Sequence, residues 1–75
     1  MNSQQQVFNE LRKRRSMRGW TQQELARRVG VTRQTVISIE KGKYSPSVGL
    51  ALGLAEVLET TVEGLFQLRR GGGDD

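Results

Sequence analysis

The chain has 75 residues with no cysteine and no histidine, which leaves room for one domain and removes disulfides, thiolate metal sites and the usual catalytic base. Its net charge of +4 is unevenly placed: residues 1–45 carry ten cations against three carboxylates (+7), and residues 46–75 carry two against five (−3). A basic half joined to an acidic half implies an anionic partner docking on one side. No stretch is apolar enough for a secretory signal or a membrane span, so the reading is a cytoplasmic chain without membrane contact.

Start and stop signals place five helices. The first opens near Ser3, whose spacing to Gln6 suits a capping box, and runs to about Met17 before Gly19, with Val7, Phe8 and Leu11 as its apolar stripe. The second follows Thr21, which has capping-box spacing to Glu24. Leu25, Ala26 and Val29 form its inward face, and Gly30 ends it. Val31 and Thr32 complete a short connection, Thr32 being the next cap. The third helix runs from Arg33 to about Lys41, with Gly42 as its stop. Val36, Ile39 and Glu40 share one side, and Arg33, Gln34, Ile37, Ser38 and Lys41 share another.

After the loop Lys43–Tyr44–Ser45, Pro46 suits the first position of a fourth helix capped by Ser45 and ending at Leu58. That helix is apolar over most of its circumference and is expected to be the most buried. Thr61 caps a short fifth helix containing Val62, Leu65 and Phe66. The domain is taken as residues 1–70, and Gly71–Asp75, with nothing to bury, as a disordered tail.

The second and third helices, joined through a glycine, have the spacing of a helix-turn-helix unit, whose second helix can enter a major groove. Spacing alone is weak, because any helical bundle contains helix pairs. The outward face of the third helix strengthens it with arginine, glutamine, serine and lysine, the donors and acceptors that meet base edges and phosphates. Ile37 on that face either touches a thymine methyl or packs inward. Thr32 and Thr35 serve as caps, phosphate contacts or both. Trp20 and Tyr44 read as plugs of the core rather than stacking platforms, and Arg27 and Arg28 as a solvated face.

The stretch GWTQQELARRVGVTRQTVISIEKGKYSPS, with TQQELA, GVTRQTV and IEKGKYSPS in order, resembles the phage-repressor (xenobiotic-response-element, lambda-repressor-like) type of helix-turn-helix domain, from about Leu11 to Phe66. The resemblance implies a compact all-α domain of five helices that binds double-stranded DNA, usually as a dimer on a two-fold operator. By position it implies base contacts from Arg33, Gln34 and Ser38, phosphate contacts from Gln22, Lys41 and Lys43, and an ion pair between Arg15 and Glu40.

The expected function is a sequence-specific transcriptional regulator acting as a repressor; an antitoxin or antirepressor whose main partner is a protein stays open beside it. No phosphate loop, paired carboxylates or nucleophile–base constellation points to an enzyme, and no cofactor or metal is implied. Val62, Leu65 and Phe66, with Leu68 beside them, exceed what a short fifth helix needs for its own domain and are the expected homodimer surface.

Overall fold

Threonines start three of the helices, and each does so in the same way. Thr21, Thr32 and Thr61 hold extended backbone, and their hydroxyls accept from the N–H three residues on: Glu24 at 3.0 Å, Thr35 at 3.2 Å and Gly64 at 2.9 Å. Such caps satisfy one of the donors a helix start leaves without an internal partner. In the computed structural model, which describes residues 5–70, these caps open α2 (Gln22–Val29), α3 (Arg33–Glu40) and α5 (Val62–Leu65). They are joined by α1 (Leu11–Met17) and α4 (Val48–Val57), so the architecture is the expected five helices with the helix-turn-helix at α2 and α3.

A two-stranded sheet is added to the helices. β1 (Gln5–Asn9) pairs antiparallel with β2 (Phe66–Arg70), setting Val7 opposite Leu68 and Asn9 opposite Phe66. The first helix therefore does not start near Ser3. Ser3 lies outside the described residues, Val7 and Phe8 are in a strand, and the helix begins at Leu11. Asn9 explains the break. Its Oδ1 accepts from the Leu11 N–H at 3.1 Å and its Nδ2 donates to the Ile39 carbonyl at 2.9 Å, so the side chain starts α1 and ties it to α3. The Glu10 N–H donates to the Leu65 carbonyl, fixing the same corner to α5.

Two further boundaries differ from the sequence reading. The cap of α4 is Ser47, whose hydroxyl accepts from the Leu50 N–H at 3.2 Å, so Ser45 and Pro46 belong to the preceding link. Phe66 leaves α5 and begins β2. The disordered-tail expectation for 71–75 lies outside the described residues.

The core is built from Leu11, Leu25, Val36, Ile39, Leu54, Leu58 and Leu65, with the smaller Ala26 and Ala55 among them. Burying each large side chain contributes about 1.5–3 kcal/mol. Helix α4 carries the most buried residues of the described helices, as its composition suggested, but not around its whole circumference. Ala51, Leu54 and Ala55 face the core, but Val48 is 76% and Leu52 56% exposed. Glu59 follows α4 with φ 56, a left-handed position where glycine is the usual stop.

Candidate nucleic-acid interface

The turn between α2 and α3 depends on Gly30, whose φ of 78 lets its own N–H and that of Val31 return to the Ala26 carbonyl. Thr32 then starts α3, and the Thr32 and Thr35 hydroxyls lie 3.0 Å apart. At the other end Gly42, with φ 75, lets the chain fold back, so that the Lys43 N–H donates to the Ser38 carbonyl at 2.9 Å. These two glycines frame α3 and bring the following loop against its outer face.

The result is a cleft of about 250 Å3 lined by Thr32, Gln34, Thr35, Ser38, Lys43 and Tyr44. Gln34 and Ser38 sit one turn apart on its wall, with Gln34 Nε2 3.4 Å from the Ser38 hydroxyl, too long to hold either side chain firmly. Arg33 is exposed beside it on the first turn of α3, and Lys41 is exposed where the helix ends. Ile37 is half-buried. Among the described residues, Arg33, Lys41 and Lys43 form no ion pair, whereas Arg15, Arg18, Arg27 and Arg28 each meet a carboxylate. A face carrying unneutralised cations around amide and hydroxyl groups suits an anionic polymer with readable edges.

Gln22, the first residue of α2, is held differently. Its Nε2 donates at 3.0 Å to Glu40 Oε1, the carboxylate that Arg15 also grips, through Nε to Oε2 at 2.7 Å and Nη2 to Oε1 at 3.2 Å. Arg15 Nη1 donates to the Trp20 carbonyl at 2.8 Å. The Arg15 and Glu40 side chains are 12% and 5% exposed, so this is a largely buried pair joining α1 to α3. Beside Gln22, the backbone N–H groups of the first turn of α2 face out with the positive end of the helix dipole.

On α2 charge is settled locally. Arg27 and Arg28 share Glu24 at 2.6 and 2.8 Å, and the Arg27 hydrogen bond holds the Glu24 carboxyl below its ordinary range. The same bond raises the Arg27 guanidinium. The Glu24 side chain therefore faces these arginines, on the turn whose cap, the Thr21 hydroxyl, accepts from the Glu24 N–H. Arg28 stacks on one face of Trp20 at 4.0 Å from the ring centre, and Arg18 lies 5.5 Å from it. Trp20 also packs on the core, as expected, but Tyr44 does not: it is 46% exposed and lines the cleft. Its place after Lys43, in a polar loop between Gly42 and Pro46, was the signal available for this.

The expected dimer residues divide. Leu65 is completely buried in the core, because the short α5 must turn one side chain inward to close the bundle, so it is no surface residue. Val62 and Phe66 are half-buried and line an apolar groove of about 290 Å3 with Val7, Pro46, Val48 and Leu52. Leu68, paired with Val7 across the sheet, is exposed.

A profile of the helix-turn-helix family matches residues 11–65. An uncharacterized HTH-type transcriptional regulator of Methanothermobacter thermautotrophicus is 51% identical over 63 residues, covering 83% of this chain and 91% of the relative. A similarly named protein of Archaeoglobus fulgidus is 48% identical over 56 residues, covering 75% and 80%. Among solved structures, the restriction-modification controller protein C.AhdI of Aeromonas hydrophila superposes with a TM-score of 0.69 at 31% identity, over 73% of this chain and 83% of that one. The clp gene regulator ClgR of Corynebacterium glutamicum gives 0.65 at 29%, over 69% of this chain and 55% of its own.

Proposed function

Because the chain belongs to the helix-turn-helix family and is a DNA-binding transcriptional regulator rather than an enzyme, we propose that it represses transcription as a homodimer on a short two-fold operator. The observation that carries the reading of the site is the outer face of α3, where Gln34 and Ser38 line a cleft flanked by the unpaired Arg33, Lys41 and Lys43. In this reading α3 enters the major groove. Arg33 presents two parallel donors to a guanine edge, Gln34 a donor and acceptor to adenine, and Ser38 a hydroxyl deeper in the same groove. Ile37 supplies apolar contact to a thymine methyl from the part of its side chain left open.

Phosphates on either side take the remaining groups. Gln22 and the first turn of α2 meet one strand, with Thr32 and Thr35 at the start of α3, while Lys41 and Lys43 meet the backbone past its end. Repression then needs only occupancy, since a bound domain excludes other proteins from the same duplex. It acts in the cytoplasm, and among the described residues no helix is long and apolar enough to cross a membrane.

One domain reads few base pairs, so discrimination against the rest of a genome calls for two copies with their α3 helices about 34 Å apart, one turn of duplex. The groove with Val48 and Leu52 on its rim is the surface for that contact, keeping Val62 and Phe66 of the expected patch and leaving out the buried Leu65. A protein partner in the same groove, as an antitoxin or antirepressor would use, is the second reading, favoured by the same exposed side chains. Selection of bound sequences from random duplex DNA tests the main reading. A two-fold symmetric motif that Arg33→Ala relaxes at one position supports it, and recovery of no motif refutes it.

A further inference from the structure

The Arg15–Glu40 pair does more than join two helices, because a third side chain ends on the same carboxylate. Glu40 Oε2 accepts from Arg15 Nε, and Oε1 accepts from both Arg15 Nη2 and Gln22 Nε2. We infer that Glu40, itself fixed by Arg15, is a positioning residue that holds the Gln22 amide with its N–H side toward the DNA backbone; this rests on the reading of Gln22 as a phosphate contact.

An amide has two ends of opposite polarity, and only its NH2 suits a phosphate, since its oxygen is repelled by one. A free glutamine samples both ends and many rotamers. An ionised carboxylate accepts only, so it selects the nitrogen end of Gln22. One N–H is consumed and the second stays available on the same atom, beside the outward N–H groups of the first turn of α2. Glu40 can do this because it is itself held: its side chain is 5% exposed, two bonds from Arg15 grip it, and Arg15 also donates to the Trp20 carbonyl. That carbonyl lies one residue before the Thr21 cap of α2, so a single guanidinium aligns the start of α2, the end of α3 and, through Glu40, the Gln22 side chain. The order in which Gln22 is held is thus set before DNA arrives, which lowers the entropy lost on contact.

The test is a cycle of binding titrations on a selected operator, with folding checked by circular dichroism. Its members are the native chain, Gln22→Ala, the pair Arg15→Met/Glu40→Leu, and the triple variant. The pair replacement removes one charge of each sign, so net charge and the salt dependence from other phosphates are unchanged. Gln22→Ala is expected to weaken binding about tenfold, as for a hydrogen bond to a charged group. The pair replacement is expected to lose most of that tenfold by itself, and adding Gln22→Ala to it should cost no more than about twofold. If the pair replacement binds like the native chain, or if Gln22→Ala still costs its full factor within it, Glu40 has no positioning role. A native-like affinity of Gln22→Ala in the intact background instead overturns the phosphate reading and this inference with it. Should the pair replacement fail to fold, Glu40→Gln, which keeps the shape and removes the charge that selects the amide nitrogen, enters the same cycle under the same criteria.

Discussion

Replacing Arg15 by methionine leaves the Glu40 carboxylate at 5% exposure with only the Gln22 amide for a partner. Two charge-assisted bonds to Glu40 and one to the Trp20 carbonyl disappear together. Breaking a buried pair from one side costs about 3–5 kcal/mol, because the remaining charge keeps its desolvation penalty. A domain of this size has a total stability of roughly 4–11 kcal/mol. The single change therefore removes a large share of it and lowers Tm by roughly 12 °C or more, at about 4–8 °C per kcal/mol. Arg15→Met combined with Glu40→Leu removes both charges, fills the space with apolar atoms and is expected within about 1 kcal/mol of the native chain. Urea unfolding of the native chain, both single variants and the double supplies the full cycle. Losses that simply add would show that the two residues do not act as a pair, and a single-variant loss under about 1 kcal/mol would show that Glu40 finds solvent on its own.

Binding strength should fall with salt at a log–log slope of about −0.9 per phosphate neutralised, and Lys43→Ala should weaken all sequences alike while shallowing that slope by about one unit. Arg33→Ala or Gln34→Ala should instead cost about 1–3 kcal/mol on the preferred site and relax one base position, as read by selection from random duplexes. Asn9→Ala removes the bonds to the Leu11 N–H and the Ile39 carbonyl and should cost about 1–3 kcal/mol in denaturant unfolding, leaving α2 and α3 intact. Leu52→Glu should abolish association in sedimentation equilibrium without lowering Tm, since that side chain is 56% exposed in the single chain. The Glu24 carboxyl is lowered by the Arg27 hydrogen bond, so its contribution is complete above the ordinary carboxylate range and is lost as pH falls through the lowered value; Glu24→Gln should flatten that part of the acid limb of stability.

The parts of the fold legible in the sequence are those with local chemistry. Thr21, Thr32 and Thr61 cap because a threonine oxygen reaches the N–H three residues on, and Gly30 and Gly42 end helices because they adopt positive φ; each effect is complete within a few residues. The sheet was not legible in the same way. Val7, Phe8 and Leu11 fit a helical stripe as well as a strand followed by a helix, and the partner that decides between them, Phe66–Arg70, lies almost a chain length away. At the start of α4, Ser45 and Ser47 flank Pro46 and both are competent caps; the choice falls to the packing of Leu50, Ala51 and Leu54. The face of a four-residue helix carries too few positions for a period, which is why Leu65 read as surface and lies in the core. In the site, residue types on α3 announced a groove-reading face, while Tyr44 joined it only through the backbone fold at Gly42 and Lys43.

Pairing Gln5 with Arg70 brings the two ends of the described chain side by side, within the width of one strand pair. The domain is thus nearly a closed loop of polypeptide, and its order of elements is separable from its order in space. Joining those ends with a few flexible residues and opening the chain at an exposed bend, such as Gly19 between α1 and α2, would give a circular permutant in which α3 still follows α2. In such a permutant the sheet pairing becomes a local hairpin-like contact rather than a long-range one, so closing the clasp would cost less loop entropy, and the reading head would keep its shape under a different chain order.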